Sequence, residues 1–118
     1  MRYMLLIYSA EGAGPQPGSS DFEAEMGKWF AVSNEMAEAG VMLGGDPLQG
    51  LESASTVRIR DGKRLVTDGP FAETKEILGG YYILECGALD EALEWAAKLP
   101  NAPYGSVEVR PIQEIPGM

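Results

Sequence analysis

The residues best suited to chemistry lie in one short segment, Asp68-Gly69-Pro70-Phe71. Pro70 fixes its own φ and forces Gly69 out of the helical region, so the segment predicts a tight turn at the end of a strand. Asp68 would then place a carboxylate where it could act as a general acid or base in a cleft, or it would only accept hydrogen bonds from the turn amides. The local pattern favours the second role. Phe71 is expected to anchor the turn through apolar contacts.

Charged residues follow this turn directly, and three of them, Glu73, Lys75 and Glu76, belong to the same motif. A single helical turn is predicted over residues 72–78, which would bring Glu73 and Glu76 onto one face because they are three positions apart. Paired carboxylates can perform acid–base chemistry or hold a divalent cation. Exposed charges on a short helix are nevertheless much commoner, and the second interpretation is favoured.

A second candidate pair, Glu108 and Arg110, lies near the end of the chain. The two residues are two positions apart in a predicted strand and therefore share one face. Arg110 could clamp a carboxylate in bidentate fashion beside an apolar pocket, with Glu108 as a second polar group. A Glu/Arg pair that closes a subunit interface has the same pattern, and this interpretation is modestly favoured.

Four tyrosines could donate hydroxyl hydrogen bonds to a ligand: Tyr8, Tyr81, Tyr82 and Tyr104. Tyr8 and Tyr82 are the stronger ligand-binding candidates, although aromatic strand residues are more often packing groups. The chain has no histidine and one cysteine, which excludes histidine-based nucleophile relays, histidine metal sites and an internal disulfide. Cys86 is expected to be buried and inert. No cofactor and no metal site are predicted.

The charge is strongly negative and uneven. The 118 residues carry a net charge of −9, and residues 10–55 hold one base and eight acids. Nucleic acid and anionic membranes are therefore not expected as partners, since affinity for phosphates comes from lysine and arginine. The apolar run over residues 3–8 is too short for a signal peptide, and no stretch is long enough to span a membrane. A cytoplasmic location is expected.

The hydrophobic patterns predict an α+β chain. Helical periodicity starts at Phe22 and ends at Gly40, with an inward face formed by Phe22, Met26, Trp29, Phe30, Ser33, Met36 and Ala37. A second helix runs from Asp90 to Pro100, with Leu89, Leu93, Ala96 and Ala97 facing inward. Strands are predicted over residues 2–8, 41–43, 56–60, 63–67, 81–86 and 107–111, and Asp61-Gly62 joins the middle two into a hairpin.

Without the hairpin, the order strand, helix, strand, strand, helix, strand is that of a ferredoxin-like split βαβ fold. The first and third core strands would be central, and they are the two with apolar residues at consecutive positions. Because both helices of such a fold cover one face of the sheet, the apolar groups on the other face need a second cover. A second copy of the chain in a two-fold dimer is the favoured cover, and the hairpin is the alternative.

The chain also resembles a known family, the DGPF branch of the YCII-related proteins. The likeness rests on the run from Asp68 to Glu76, on Gly79-Gly80-Tyr81-Tyr82, on Asp90-Glu91-Ala92 and on the run from Gly105 to Pro111. It implies a single YCII-related domain over residues 1–118, a ferredoxin-like dimeric α+β barrel, a bacterial origin and, in many relatives, a gene beside an extracytoplasmic-function sigma factor. Some relatives are thought to use a His-Asp pair, and one branch performs dehalogenating lyase chemistry on a muconate-type compound. This chain has no histidine, so the His half of that pair does not carry over, and Asp68 is the nearest candidate for its acidic partner.

Three hypotheses follow. In the first, the protein binds a small anionic or aromatic molecule in a pocket on the uncovered sheet face. Its catalytic form is a lyase or isomerase in which Asp68 is acid or base, Arg110 clamps an anion, and Tyr8 or Tyr82 orients the ligand. In the second, the protein is a regulatory module whose acidic helix face meets a sigma factor. In the third, the Asp-Gly-Pro-Phe motif is only a folding device.

Overall fold

Six strands and two helices form the fold of the computed structural model, which describes all 118 residues. Their bounds are β1 Arg2–Ala10, α1 Ser20–Glu38, β2 Met42–Pro47, β3 Ser55–Arg60, β4 Lys63–Asp68, β5 Glu76–Glu85, α2 Leu89–Ala97 and β6 Ser106–Pro111, with a short 3-10 helix over Leu51–Ser53. Ser19 caps α1 by accepting a hydrogen bond from the amide of Phe22, and Gly40 follows the helix with a φ of +72°. No helix of the structure is both long and apolar enough to cross a membrane.

The main sheet has the strand order β2-β5-β1-β6, and all its pairs are antiparallel. The predicted α+β class and ferredoxin-like split βαβ order are confirmed, with β1 and β5 in the centre. Strands β3 and β4 form a separate two-stranded hairpin. Its turn at Asp61 and Gly62 has φ values of +52° and +74°, as the predicted Asp-Gly turn requires.

The core lies on one face of the sheet, under both helices. Tyr3 and Leu5 of β1 pair with Leu84 and Tyr82 of β5, and all four side chains are buried. From the helices, this cluster receives Val32, Met36, Ala92 and Ala96. The alternation of β1 therefore sends its odd-numbered residues to the helix side and its even-numbered residues to the opposite side.

The predicted inward faces of the helices are partly wrong. In α1, Met36 is buried together with Val32, which the predicted face omitted, whereas Phe30 is 65% exposed. In α2, Ala92 and Ala96 are buried, and Leu89 and Leu93 are each 46% exposed. The two alanines are four positions apart and small, so they form a contact line along which α2 lies close to the sheet. The leucines flank that line instead of forming it.

The helical turn predicted over residues 72–78 is absent. Strand β5 begins at Glu76 and pairs with the end of β1, with Leu78 opposite Tyr8 and Glu76 opposite Ala10. The sheet hydrogen bonds gained along this extension outweigh the weak local helical preference of the segment. As a result, β5 starts earlier than the sequence pattern indicated.

The second face of the sheet has no cover within the chain. Met4, Leu6, Tyr81 and Ile83 are only partly buried there. The β3–β4 hairpin pairs with itself and leaves Val57 and Ile59 more than half exposed, so it does not close this face. We refer to it below as the uncovered face.

Candidate ligand-binding cavity

Hydrogen bonds of the Gly69 backbone hold the Asp-Gly-Pro-Phe turn, and the Asp68 carboxylate takes no part in them. The amide of Gly69 donates to the carbonyl of Ala54 at 2.7 Å, and the Thr56 hydroxyl donates to the Gly69 carbonyl at 2.8 Å. Gly69 has a φ of +98°, which favours glycine at this position. Asp68 is the last residue of β4 and is exposed. Its side chain forms none of these bonds, and its catalytic role stays a prediction.

The rest of the motif does not form the predicted cluster. Phe71 is 76% exposed, so it does not anchor the turn within this chain. Glu73 and Lys75 lie exposed before β5, whereas Glu76 is in β5 and accepts from the Ser106 hydroxyl at 2.9 and 3.1 Å. The expected shared helical face of Glu73 and Glu76 is therefore wrong, because no helix forms there.

The predicted ligand-binding residues lie on opposite faces of the sheet. Glu108 pairs with Leu6 and Arg110 with Met4, which places both side chains on the uncovered face together with Tyr8. Arg110 Nε lies 4.0 Å from Glu108 Oε2, and both side chains are at least half exposed. Tyr82 is buried on the helix side. The structure thus does not bring Tyr82 together with the other three, and their ligand-binding roles stay predictions.

A wide groove of about 740 Å³ lies beside the motif. Its walls include Tyr8, Pro70, Phe71 and Glu76, so it joins one predicted ligand residue to part of the motif. Asp68 and Arg110 are outside its lining. The groove therefore does not assemble the predicted acid and anion clamp.

A narrower cavity of about 390 Å³ lies between the middle of α1 and the sheet. Small residues create this space, since Ser33 of α1 faces strand positions that include Gly45 and Gly80. Four aromatic residues line it on the helix side: Trp29, Phe30, Tyr82 and Tyr104. Tyr81 is also in the lining, but it pairs with Leu6, so its side chain lies on the uncovered face. Its size and apolar walls are typical of small-molecule sites. The sequence predicted a pocket on the uncovered face, but this cavity lies on the helix side.

A hydroxyl pair lines this cavity. Ser33 Oγ and Tyr82 OH are 2.7 Å apart, and either can be the donor. Each hydroxyl has one hydrogen, so their mutual bond uses one hydrogen and leaves the other free to donate. This pair can therefore give one hydrogen bond to a molecule in the cavity.

Asn101 also lines the cavity and is 2% exposed. Its Nδ2 donates to the carbonyls of Tyr8, at 3.0 Å, and Ser106, at 3.2 Å. Its Oδ1 accepts no hydrogen bond from the protein. The amide therefore ties the ends of β1 and β6 together and leaves one buried acceptor unpaired.

Tyr104 forms one wall of the cavity and connects two distant segments. Its hydroxyl donates to Glu25 Oε2 of α1 at 2.8 Å, and its ring packs on Gly14, where a Cβ atom would lie 2.5 Å from Tyr104 Cζ. Burial, followed by the hydrogen bond to Glu25 and the charge of Glu25, raises the pKa of Tyr104 to about 12. Tyr104 is thus held neutral.

The cavity has no basic residue in its lining. Its one charged lining residue, Asp46, pairs with Tyr81, so its carboxylate lies on the uncovered face. Tyr81 OH donates to Asp46 Oδ2 at 3.0 Å, and this bond, with the carboxylate charge, raises the pKa of Tyr81.

Cys86 lies in the core, outside the cavity lining, and is buried as predicted. Its burial is the main factor that raises the pKa of its thiol, which disfavours the reactive thiolate.

Sequence reasoning missed Asn101 and Ser33 as site residues and assigned Trp29 only to the helix face. Asn101 follows Pro100 in a turn-rich segment, where asparagine is ordinarily a surface residue. Tyr104 was considered as a hydroxyl donor, but its neighbours in the sequence do not indicate Glu25 as its partner. No local signal marks these residues as a group, because they meet only when α1 lies across the sheet.

The fold has a counterpart among solved structures. The 5-chloro-2-hydroxyhydroquinone dehydrochlorinase of Burkholderia phenoliruptrix, solved in complex with 2,5-dihydroxybenzoquinone, superposes with a TM-score of 0.51. The two proteins are 15% identical, and the match covers 96% of this chain and 94% of the other. At this identity the likeness shows a shared fold.

Sequence comparison extends over nearly the whole chain. An uncharacterised protein of Rhizobium meliloti is 40% identical over 114 residues, which cover 95% of this chain and 92% of the relative. The model of the YCII-related domain matches residues 1–116, a span that holds the split βαβ sheet, the inserted hairpin and the cavity under α1. By this match and by its fold, the chain belongs to the YCII-related family.

Proposed function

We propose that this protein binds a small aromatic molecule in the cavity between α1 and the sheet. The observation that carries the proposal is the cavity itself, because it offers about 390 Å³ lined on the helix side by four aromatic residues. An apolar pocket with a few convergent polar groups is the usual form of a small-molecule site. The Ser33–Tyr82 hydroxyl pair supplies a polar group here.

A ring-sized ligand is also supported by analogy. The structurally similar dehydrochlorinase acts on a substituted hydroquinone and was solved with a quinone. Since that likeness shows the fold alone, ring binding is transferred to this chain as a proposal. Lyase or isomerase chemistry would further need an acid or base beside the ring. Asp68 lies outside the cavity lining. The proposed function is therefore ligand binding, without a catalytic residue.

No observation favours the alternative function, a regulatory module that binds a sigma factor. The acidic face of α1 that suggested it is present, with Asp21 and Glu23 in the first turn. Neither the fold nor the relatives add an observation that favours such a partner. An acidic helix face alone is common on soluble domains.

We also propose that the uncovered face pairs with the same face of a second copy. The partly buried apolar side chains of Met4, Leu6 and Ile83 lie in the middle of that face, between the edge strands. A two-fold pairing would stack the two sheets face to face and remove these side chains from water. The α1 cavity lies on the opposite side of the sheet, so it would stay accessible in such a dimer.

The binding proposal is tested by NMR, because the two tryptophans of the chain separate the cavity from the rest of the molecule. Trp29 lines the cavity, whereas Trp95 packs against the core and the Lys98 ammonium. The indole N–H signals are assigned with the Trp29→Phe and Trp95→Phe variants. Toluene, phenol, anisole and benzoate are then titrated into the ¹⁵N-labelled protein.

At least one of these one-ring compounds is expected to shift the Trp29 signal saturably at micromolar to millimolar concentration. The Trp95 signal serves as the internal control and should stay in place. If no compound moves the Trp29 signal, or if both signals move in parallel, the cavity is not a specific site and the proposal is wrong.

A further inference from the structure

The β3–β4 hairpin carries apolar side chains that nothing in the chain covers. Val57 lies opposite Val66, and Ile59 lies opposite Arg64, so these side chains project from one face of the hairpin. Val57, Ile59 and Val66 are each more than half exposed, and we call them the apolar patch. A hairpin of two strands is marginally stable in water unless its apolar face packs against another element. The apolar patch therefore indicates a contact surface for another molecule.

The hairpin is also the basic part of an acidic protein. Four of the nine lysines and arginines of the chain lie within seven residues of it: Arg58, Arg60, Lys63 and Arg64. The ion pairs of the chain involve none of these four, and Arg58 and Arg60 donate to backbone carbonyls instead. Residues 10–55, in contrast, hold one base and eight acids. The positive charge of the hairpin thus has no counterpart where it lies, and the surplus of negative charge is in the first half of the chain.

These charges decide which molecule fits the apolar patch. Two hairpins that met each other would bring their cations together, which is unfavourable. A nucleic acid or an anionic membrane would meet the cations of the hairpin, but it would also be repelled by a chain with a net charge of −9. A second copy of the chain offers the matching surface, because residues 10–55 combine their acids with Phe30 and Leu43, which are more than half exposed.

We propose that the hairpin lays its apolar patch on the acidic half, residues 10–55, of a second copy of the chain. In a two-fold dimer each copy gives one hairpin and receives one. The hairpin strands have six residues each and are about 20 Å long, twice the distance of about 10 Å between stacked sheets, so the hairpin can reach along the second copy. This inference rests on the pairing of two copies proposed above and adds a second contact surface to it.

The first test measures the dissociation constant of the dimer by analytical ultracentrifugation. Ile59→Glu places a carboxylate in the apolar patch, and Arg64 lies opposite it, so a cross-strand ion pair keeps the hairpin together. Because the new carboxylate would face an acidic surface, we expect the dissociation constant to rise at least about tenfold. Leu93→Glu makes the same change at an exposed position of α2 and should leave the constant unchanged.

The second test locates the contact by carbodiimide crosslinking, which joins a lysine directly to a carboxylate that touches it. In an equal mixture of ¹⁴N- and ¹⁵N-labelled protein, links between two copies carry both isotopes. We expect mixed-isotope links from Lys63 to carboxylates within residues 10–55. Lys98 is the control, because it lies 3.6 Å from Glu35 of the same chain and the Lys98–Glu35 link should carry a single isotope.

The outcomes separate this contact from the pairing of the sheets. If Ile59→Glu dimerises as tightly as the wild type, or if Lys63 gives no mixed-isotope link, the hairpin contact is wrong, while a monomeric Leu6→Lys would still support pairing through the uncovered face. Retention on heparin at physiological ionic strength that Arg60→Glu abolishes, with an unchanged dimer, would assign the hairpin to a polyanion and overturn the inference. If the wild type is a monomer, the inference and the proposed pairing are both wrong.

Discussion

At the scale of single residues, Tyr104 shows how side chains distant in sequence close the cavity wall. It lies after α2, yet its hydroxyl bonds to Glu25 of α1 and its ring fills the space that Gly14 leaves open. A side chain at position 14 would collide with this ring. The loop that holds Gly14, helix α1 and the turn before β6 thus meet at the Tyr104 side chain, although nothing in their sequences indicates this contact.

This environment predicts an abnormal titration. The pKa of Tyr104 is raised to about 12 from an ordinary value of about 10. The folded state therefore binds this proton more tightly than the unfolded state. The resulting stabilisation is complete below pH 10 and is lost as pH rises from about 10 to 12. In a tyrosinate absorbance titration, the component missing from Tyr104→Phe should have its midpoint near pH 12.

Glu25→Gln provides the control for this titration, because it keeps a hydrogen-bond acceptor and removes the charge. The Tyr104 midpoint should then move toward 10, although burial, the largest cause of the shift, should keep it above that value. Far-UV circular dichroism recorded at each pH reports whether the chain is still folded. A Tyr104 midpoint near 10 in the folded wild-type protein would contradict the contacts described here.

At the scale of elements, the approach of β6 to β1 depends on Gly105. A Cβ atom at this position would collide with the Tyr8 carbonyl, which is also an acceptor for Asn101 Nδ2. Gly105→Ala should therefore push the start of β6 away from β1. We expect a loss of about 1–3 kcal/mol in the free energy of unfolding, the range for overpacked sites, measured by urea denaturation.

Gly27→Ala is the matched control, because it is the same substitution in the middle of α1, where a Cβ atom meets nothing within 4 Å. Alanine loses less backbone entropy than glycine in a helix, so this variant should be more stable than the wild type by about 0.5–1 kcal/mol. Opposite signs for the two variants are the expected outcome. A stable Gly105→Ala would show that the ends of β6 and β1 separate without cost.

Elements with strong local signals were predictable from the sequence. The consecutive apolar residues of β1 and β5 indicated central strands, and Asp61-Gly62 indicated the hairpin; both predictions are confirmed. The segment after Pro70 was not predictable, because its extended form depends on pairing with the end of β1, far away in sequence. The cavity was missed for the same reason. Its members lie on α1, on the sheet and in the turn before β6, and only the packing of α1 brings them together.

At the scale of the whole molecule, the single chain is flat. Its principal extents are 48 × 45 × 18 Å, and its radius of gyration is 16.4 Å, whereas a compact domain of this length has about 13–14 Å. Only 13 of the 118 residues are buried. One sheet with helices on one side accounts for this shape, since nothing in the chain covers the other side. A second copy on the uncovered face would give the missing layer.

Light scattering coupled to size exclusion should therefore give twice the chain mass of 12.7 kDa at micromolar concentration. Leu6→Lys places a charge in the middle of the uncovered face, opposite Tyr81 and Glu108. Because burying that charge in a dimer interface is costly, this variant should be a monomer of 12.7 kDa. Leu93→Lys makes the same change at an exposed position of α2, on the other side of the sheet, and should keep the doubled mass. A wild-type monomer would refute the pairing, and so would a Leu6→Lys dimer as stable to dilution as the wild type.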